Sequence, residues 1–234
     1  AFLELLAGYG PEVIVVVAYG RILPQAVLEL PPYGCINVHA SLLPKYRGAG
    51  PIQWAVINGE KESGVTTMYM CREIDKGDML LKDTVTLDPK ETGDSLHDKL
   101  SMMGGPLLLK TIDQLEDGSA VRIPQCEEES TYAPKLEKTM GNIDWTKDAV
   151  SIERLVRGLN PWPSAYTTLN GKTMKIWQCD VLPDEELGPL RRHMEAHREP
   201  AVPLVEEAHR GPKEVQHHIE QGVPAAQHQI APLP

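Results

Sequence analysis

No apolar run in this 234-residue chain approaches the roughly 20 residues that a membrane helix needs; the longest strongly apolar stretch is Val13 to Ala18. No signal-peptide pattern opens it either. An initiator methionine is missing. The chain starts at Ala1, and Phe2, Leu3, Leu5 and Leu6 are spaced like the middle of an amphipathic helix with no N-cap before it. The reading is a fragment that begins inside a domain. Cysteine is scarce, with four residues at 35, 71, 126 and 179 and no C-x-x-C pair. That excludes a disulfide framework and points to a reducing, cytoplasmic setting. Positive charge is in deficit, with a net charge of −10, so no general affinity for polyanions follows, although a local basic patch stays open. There is no P-loop and no G-x-G-x-x-G. Beyond Trp177 there is no aromatic residue, while six of the eight histidines (193, 197, 209, 217, 218 and 228) fall there among Pro and Glu. Such a segment buries little apolar surface, so a poorly ordered tail is expected. His193-x-x-x-His197 has metal-like spacing, but a polar tail without a core is a poor frame for a metal, and none is expected.

What is present alternates between strand and helix. Val13 to Tyr19 is β-branched and bounded by glycines, which predicts a buried strand of parallel type. Pro24 to Leu30 predicts a short helix, Cys35 to His39 a strand, Pro51 to Asn58 a helix that tolerates Pro at its first turn, and Val65 to Met70 and Met79 to Leu87 two more strands. A longer helix follows Asp94, a candidate N-cap. Its stripe is Leu96, Leu100, Met103, Leu107, Ile112 and Leu115, with a bend or break at Gly104-Gly105-Pro106. The alternation predicts an α/β domain with a largely parallel sheet over residues 1–122. A polar linker over 123–141 precedes a second module. There a helix over Ile152 to Leu159 ends at Asn160-Pro-Trp-Pro163, and Asn170-Gly171 closes a hairpin.

The stretch from Ile36 to Val56 carries the chemistry. Side chains at i and i+2 of a strand share a face, so Asn37 and His39 aim together, roughly 6.6 Å apart at about 3.3 Å per residue. An amide donor beside an imidazole suits acyl transfer: one group for a developing oxyanion, one for a proton. The segment Arg72 to Asp78 leaves the next strand, and in open α/β sheets sites form beyond strand carboxyl ends. Asp75 or Asp78 could hydrogen-bond His39 and raise its pKa; the same residues would also make a plain solvated turn. Ser41 is a poor nucleophile candidate because no G-x-S-x-G elbow is present. Lys45 and Arg47 beside Gly48-Ala49-Gly50 could hold an anion or simply be solvated.

The run Ile36-Asn-Val-His-Ala-Ser-Leu-Leu-Pro-Lys-Tyr-Arg-Gly-Ala-Gly-Pro51, with Gly64-Val-Thr-Thr-Met68 and Asp75-Lys-Gly-Asp78, resembles the 10-formyltetrahydrofolate-dependent formyltransferases. Thr131-Tyr-Ala-Pro-Lys-Leu136, Ile143-Asp-Trp145 and Asn160-Pro-Trp-Pro163 are similar to the members of that family that act on methionyl-tRNA. The resemblance runs from about residue 10 to about residue 182 and leaves out the tail.

What it implies is specific. The fold would be a Rossmann-like α/β formyltransferase domain whose first strands precede Ala1, followed by the start of a C-terminal β-barrel over 142–183 and an atypical tail over 184–234. Asn37, His39 and Asp75 would be catalytic: Asn37 for the oxyanion, His39 for polarisation and the proton, Asp75 to orient and charge-stabilise His39. Ser41, Leu42, Leu43 and Pro44 would contact the folate, and Tyr19 and Ile22 would wall the pterin. The formyl donor would be 10-formyltetrahydrofolate, the acceptor initiator methionyl-tRNA, and the protein a monomer without a membrane partner or a metal. A relative acting on a sugar amine or glycinamide ribonucleotide, and an inactive fragment, are the competing readings.

Overall fold

A computed structural model describes residues 2–182 of the chain. Helix α1 (Phe2–Gly8) buries none of its residues. Strand β1 (Ile14–Val16), the short helix α2 (Gln25–Leu28) and strand β2 (Cys35–His39) follow. The two-residue strand β3 (Arg47–Gly48) leads into α3 (Pro51–Ile57), with Pro51 in its first turn where a missing N–H costs nothing. Strands β4 (Glu62–Tyr69) and β5 (Met79–Thr86) precede the long helix α4 (Gly93–Glu116). Then come β6 (Tyr132–Ala133), α5 (Ala149–Gly158) and the hairpin of β7 (Ala165–Leu169) and β8 (Lys172–Ile176). Asn170 and Gly171 at its turn have φ of 50° and 74°, the left-handed pair that a two-residue hairpin needs.

The main sheet has the order β1-β2-β4-β5. Only β1 and β2 are parallel; β2 with β4 and β4 with β5 are antiparallel. The expected largely parallel sheet is therefore a mixed one. Alternation of strands and helices carries no strand direction, and a connection long enough for a parallel crossover does not enforce one. The buried strand of parallel type expected at Val13 to Tyr19 does pair in parallel with β2, but it is not buried. β1 has one neighbour among the described residues, is shorter than its apolar run, and leaves Val15 and Val17 exposed.

Helix α4 lies across the sheet. Leu96, Leu100, Gly104, Leu107, Thr111 and Leu115 form its buried face, with Leu96, Leu100 and Leu107 in one cluster with Ala55, Val56 and Val65. Its N-cap is Thr92, which reciprocates with Ser95 in a capping box, so Asp94 sits in the first turn instead. Of the bend or break expected at Gly104-Gly105-Pro106, a break does not occur: Pro106 lies inside a continuous helix. Pro in a helix interior costs about 3 kcal/mol. The packing of the stripe on both sides of it offsets that cost, and Gly104 lets the helix approach Val38, where a Cβ would come within 3.3 Å. The stretch 123–141 is tied back to the first module: Ile123 bridges Met79, and β6 pairs in parallel with β3. The tail over 184–234 and its histidines lie outside the described residues.

Candidate active site

The carboxyl end of β2 delivers both expected side chains. Val16 pairs with Asn37, and His39 pairs with Thr66 across β4, so Asn37 and His39 stand in the middle of the sheet rather than on a loose loop. His39 is 6% exposed. Its Nε2 lies 2.9 Å from the carbonyl oxygen of Tyr46. A carbonyl can only accept, so Nε2 carries the proton, and Nδ1 is left with the lone pair in the neutral ring. Nδ1 lies 3.7 Å from Asp75 Oδ2.

Asp75 is held in turn. Its φ is 52°, a left-handed conformation that non-glycine residues seldom adopt. The backbone N–H of Gly48 donates to Oδ2 at 2.8 Å, and Asn37 Nδ2 approaches Oδ1 at 3.5 Å. Gln125 Nε2 donates to the carbonyls of Asp75 and Gly77, at 2.7 and 2.8 Å. Asp78 faces elsewhere, accepting from Arg122 Nε at 2.8 Å. The geometry thus separates the two carboxylates that spacing alone left open, and Asp75 is the one beside His39.

The loop between β2 and β3 works as a bracket. Ser41 Oγ donates to the Lys45 carbonyl at 2.7 Å, and the Leu43 N–H donates to Thr66 Oγ1 at 3.2 Å. Leu43 is fully buried against Met68 and Met79, and the Leu43–Pro44 peptide is cis. The loop turns at Tyr46, whose N–H donates to Thr131 Oγ1 at 2.8 Å and whose hydroxyl donates to Glu60 at 2.6 Å. Burial and the Glu60 carboxylate push the Tyr46 phenol up to about 12. The buried Arg47 donates through Nε to Gln125 Oε1 and through Nη1 to Glu127. Its guanidinium is engaged, so it is not the open anion hook that the basic loop suggested; Lys45 remains exposed.

A cavity of about 740 Å³ opens over these groups. Asn37, His39 and Asp75 line it, as do residues 16–23, including Tyr19 and Ile22. A cavity of this size suits a cofactor-sized ligand. Ser41, Leu42, Leu43 and Pro44 are not among its lining residues. Leu43 turns inward against Met68 and Met79, and Ser41 ties the loop at the Lys45 carbonyl, so the run helps to place the Tyr46 carbonyl. Sequence reasoning missed Tyr46, Gly48, Thr131 and Tyr132 as parts of the site, although all four sit inside quoted motifs. It missed Gln125 altogether, and no local pattern marks that residue. Among the described residues, no group of three or more His, Cys, Asp or Glu is placed to hold a metal, and no helix is long and apolar enough to cross a membrane.

Comparison with known proteins agrees on the family. The model "Formyl transferase" matches residues 1–112, and "Formyl transferase, C-terminal domain" matches residues 135–200. The chain is 58% identical over 182 residues to the methionyl-tRNA formyltransferase of Agathobacter rectalis, covering 78% of this chain and 59% of that protein. It is 53% identical over 184 residues to the enzyme of the same name from Clostridioides difficile, covering 79% and 60%. The chain therefore spans less than two thirds of the length of these curated relatives. Among solved structures, a 4-N formyltransferase from Francisella tularensis superposes with a TM-score of 0.66 at 22% identity, covering 77% of this chain and 75% of that one. HypX from Aquifex aeolicus in complex with tetrahydrofolic acid superposes with a TM-score of 0.65 at 24% identity, covering 75% and 30%. These two likenesses establish the fold. Family models for both halves, together with relatives more than half identical over three quarters of its length, show that the chain belongs to the formyl transferase family.

Proposed function

We propose that this chain carries the chemistry of an enzyme that transfers the formyl group of 10-formyltetrahydrofolate to the amino group of initiator methionyl-tRNA, in the cytoplasm and as a monomer. The observation that carries the reading is the convergence of Asn37, His39 and Asp75 at a single cavity. The acceptor is inferred from the relatives named methionyl-tRNA formyltransferase. The donor is supported by the tetrahydrofolate bound to HypX, a protein of the same fold.

The residues divide the work as follows. Tyr19 and Ile22 present an apolar wall to the flat ring of the donor. Asn37 Nδ2 turns from its long contact with Asp75 to donate to the formyl oxygen as negative charge develops there. The acceptor nitrogen forms its bond to the formyl carbon and loses a proton to Nδ1 of His39, the ring nitrogen left free by the Tyr46 carbonyl. Asp75 then faces an imidazolium rather than a neutral ring, and the ion pair stabilises it. His39 returns that proton to the donor nitrogen as its bond to the formyl carbon breaks. Residues 1–122 would form the catalytic domain and 142–183 the start of a barrel that presents the tRNA. The match of residues 135–200 to the family's C-terminal domain and the β7–β8 hairpin support that division.

The test offers 10-formyltetrahydrofolate with methionyl-tRNA, with a sugar amine nucleotide, with glycinamide ribonucleotide, or with water alone. Formylmethionyl-tRNA is the expected product. Transfer only to one of the small amines, or release of formate alone, would overturn the acceptor assignment and leave the donor standing.

A further inference from the structure

We infer that Gln125, oriented by Arg47, is a positioning residue for the Asp75 carboxylate; the catalytic meaning of this rests on the formyl-transfer reading above. Asp75 sits at φ 52°, a conformation that does not hold itself in place in a non-glycine residue. Two groups fix it. Gly48 N–H holds the carboxylate at Oδ2. Gln125 Nε2 holds the backbone, spending one donor on the Asp75 carbonyl and the other on the Gly77 carbonyl.

The amide of Gln125 has one productive orientation. Its Oε1 accepts from Arg47 Nε at 2.9 Å, and a guanidinium can only donate. A flipped amide would set its NH2 against the guanidinium and its oxygen against two carbonyls. Arg47 is 5% exposed, and its Nη1 is tied to Glu127 at 2.8 Å. It is also the residue before Gly48. One two-residue strand therefore supplies both arms of the clamp: Gly48 grips the carboxylate directly, and Arg47 grips the backbone through Gln125. β3 is itself set by β6, where Arg47 pairs with Tyr132 and Gly48 with Ala133.

Gln125 does not line the cavity. Its loss should leave ligand contacts in place and free the turn, so that the carboxylate drifts from His39 Nδ1, now 3.7 Å away. Misplacement by about an ångström at a reacting centre can cost 10²-fold in rate. The signature is a fall in kcat without a matching rise in KM.

The experiment compares Gln125→Met, which keeps the length and removes all three hydrogen bonds, with Gln125→Glu, which keeps an acceptor for Arg47 and removes both donors. Arg122→Ala breaks the Asp78 pair of the same loop and serves as the control. Two readouts are taken on the whole chain: steady-state formyl transfer, and hydrogen exchange of the Gly48 amide. Both Gln125 variants are expected to lower kcat at least tenfold, with KM for the formyl donor within threefold. Gly48 amide protection should fall at least tenfold while the amides of the β2–β4 ladder keep theirs. The control should change neither readout. Unchanged Gly48 protection in Gln125→Glu would overturn the inference, and so would protection lost equally across the β2–β4 ladder in both variants. Absence of transfer by the unsubstituted chain would instead count against the proposed function, and the exchange readout would then decide the positioning role alone.

Discussion

One group of residues at the cavity is fastened and another is open. In the first, His39 is held through Nε2 and Asp75 through its carboxylate and its carbonyl, while Tyr46, whose carbonyl holds His39, is itself held through its N–H and its hydroxyl. In the second, residues 18–23 make no hydrogen bond among the described residues, and Val17, Tyr19 and Ile22 are 60%, 55% and 67% exposed. Ala18 and Gly20 both have positive φ there, at 50° and 71°. The contrast follows the chemistry each group would perform. Proton transfer depends on reacting atoms held within hydrogen-bond reach, whereas an apolar ring is gripped by area and tolerates a softer surface. Substitutions in the fastened group should therefore cost rate or folding, and substitutions in the open group should cost affinity alone.

The largest effect is expected at His39. In His39→Ala the transfer rate should fall by about 10²–10⁴-fold, the range for losing a general acid–base group. Asn37→Ala should lose about 10²–10³-fold, as for one oxyanion donor. Both should keep the cooperative unfolding transition of the parent, read by circular dichroism. Collapse of the fold in His39→Ala would make this residue part of the core rather than of the reaction. Next comes Gly48→Ala. Its φ is 105°, and a Cβ would lie 2.6 Å from the Tyr132 ring and 2.7 Å from the Ala133 carbonyl. Strain at such a backbone angle costs about 1–3 kcal/mol before the clash is counted. A lower melting temperature and loss of transfer should therefore appear together, unlike the His39 result.

The same contrast governs how much could be read from the chain. The i/i+2 spacing placed Asn37 and His39 on one face because a strand has a fixed period, and the structure keeps that arrangement. The hairpin at Asn170-Gly171 was equally local, and Ala165–Leu169 and Lys172–Ile176 pair around it. The direction of β4 against β2 was not legible, nor was the continuity of α4 through Pro106, because both are settled by packing between distant segments. Gln125 was invisible for the same reason. It reaches Asp75 across fifty residues of sequence, in a stretch whose polar composition reads as a linker. The folate-contacting role expected of Ser41 to Pro44 rested on the resemblance. Leu43 of that run packs into the core beside Met68 and Met79.

A third region sharpens the comparison, since it is fastened and lies outside the cavity lining. Glu91 is 2% exposed at the start of α4, where it accepts from Lys99, Ser95 and the Asp88 N–H. Burial pushes its carboxyl up, but these three partners together outweigh it and hold it below the ordinary 4.5. A depressed carboxylate contributes stability that is present above the unfolded-state value and is lost as pH falls through the lower folded value. Acid unfolding should therefore begin below about pH 4.5 and include this site. Glu91→Gln should remove about 1.5–3 kcal/mol at pH 7, the range for a hydrogen bond to a charged group, and flatten the acid limb. A stability profile of Glu91→Gln parallel to that of the parent would remove Glu91 from the account. The transfer rate per folded molecule should not change.

The smallest effects belong to the open group. Tyr19→Ala and Ile22→Ala remove side chains already more than half exposed, so stability should move by no more than about 0.5 kcal/mol. Affinity for tetrahydrofolate, measured by titration calorimetry, should weaken roughly three- to tenfold for each, since one partly buried apolar side chain is worth about 1 kcal/mol against a ligand ring. kcat at saturating donor should be unchanged, because neither residue is among the hydrogen-bond or ion-pair partners of His39 and Asp75. This pair is the sharpest check on the division of labour. If Tyr19→Ala lowered kcat with affinity intact, the open segment would be positioning the reacting atoms, and the difference between the two groups would be one of hydrogen-bonding style rather than of function. If affinity and kcat both stayed at the parent's values, the donor ring would have to bind elsewhere along the cavity, against the face of α4 that Leu100 and Gly104 present to it.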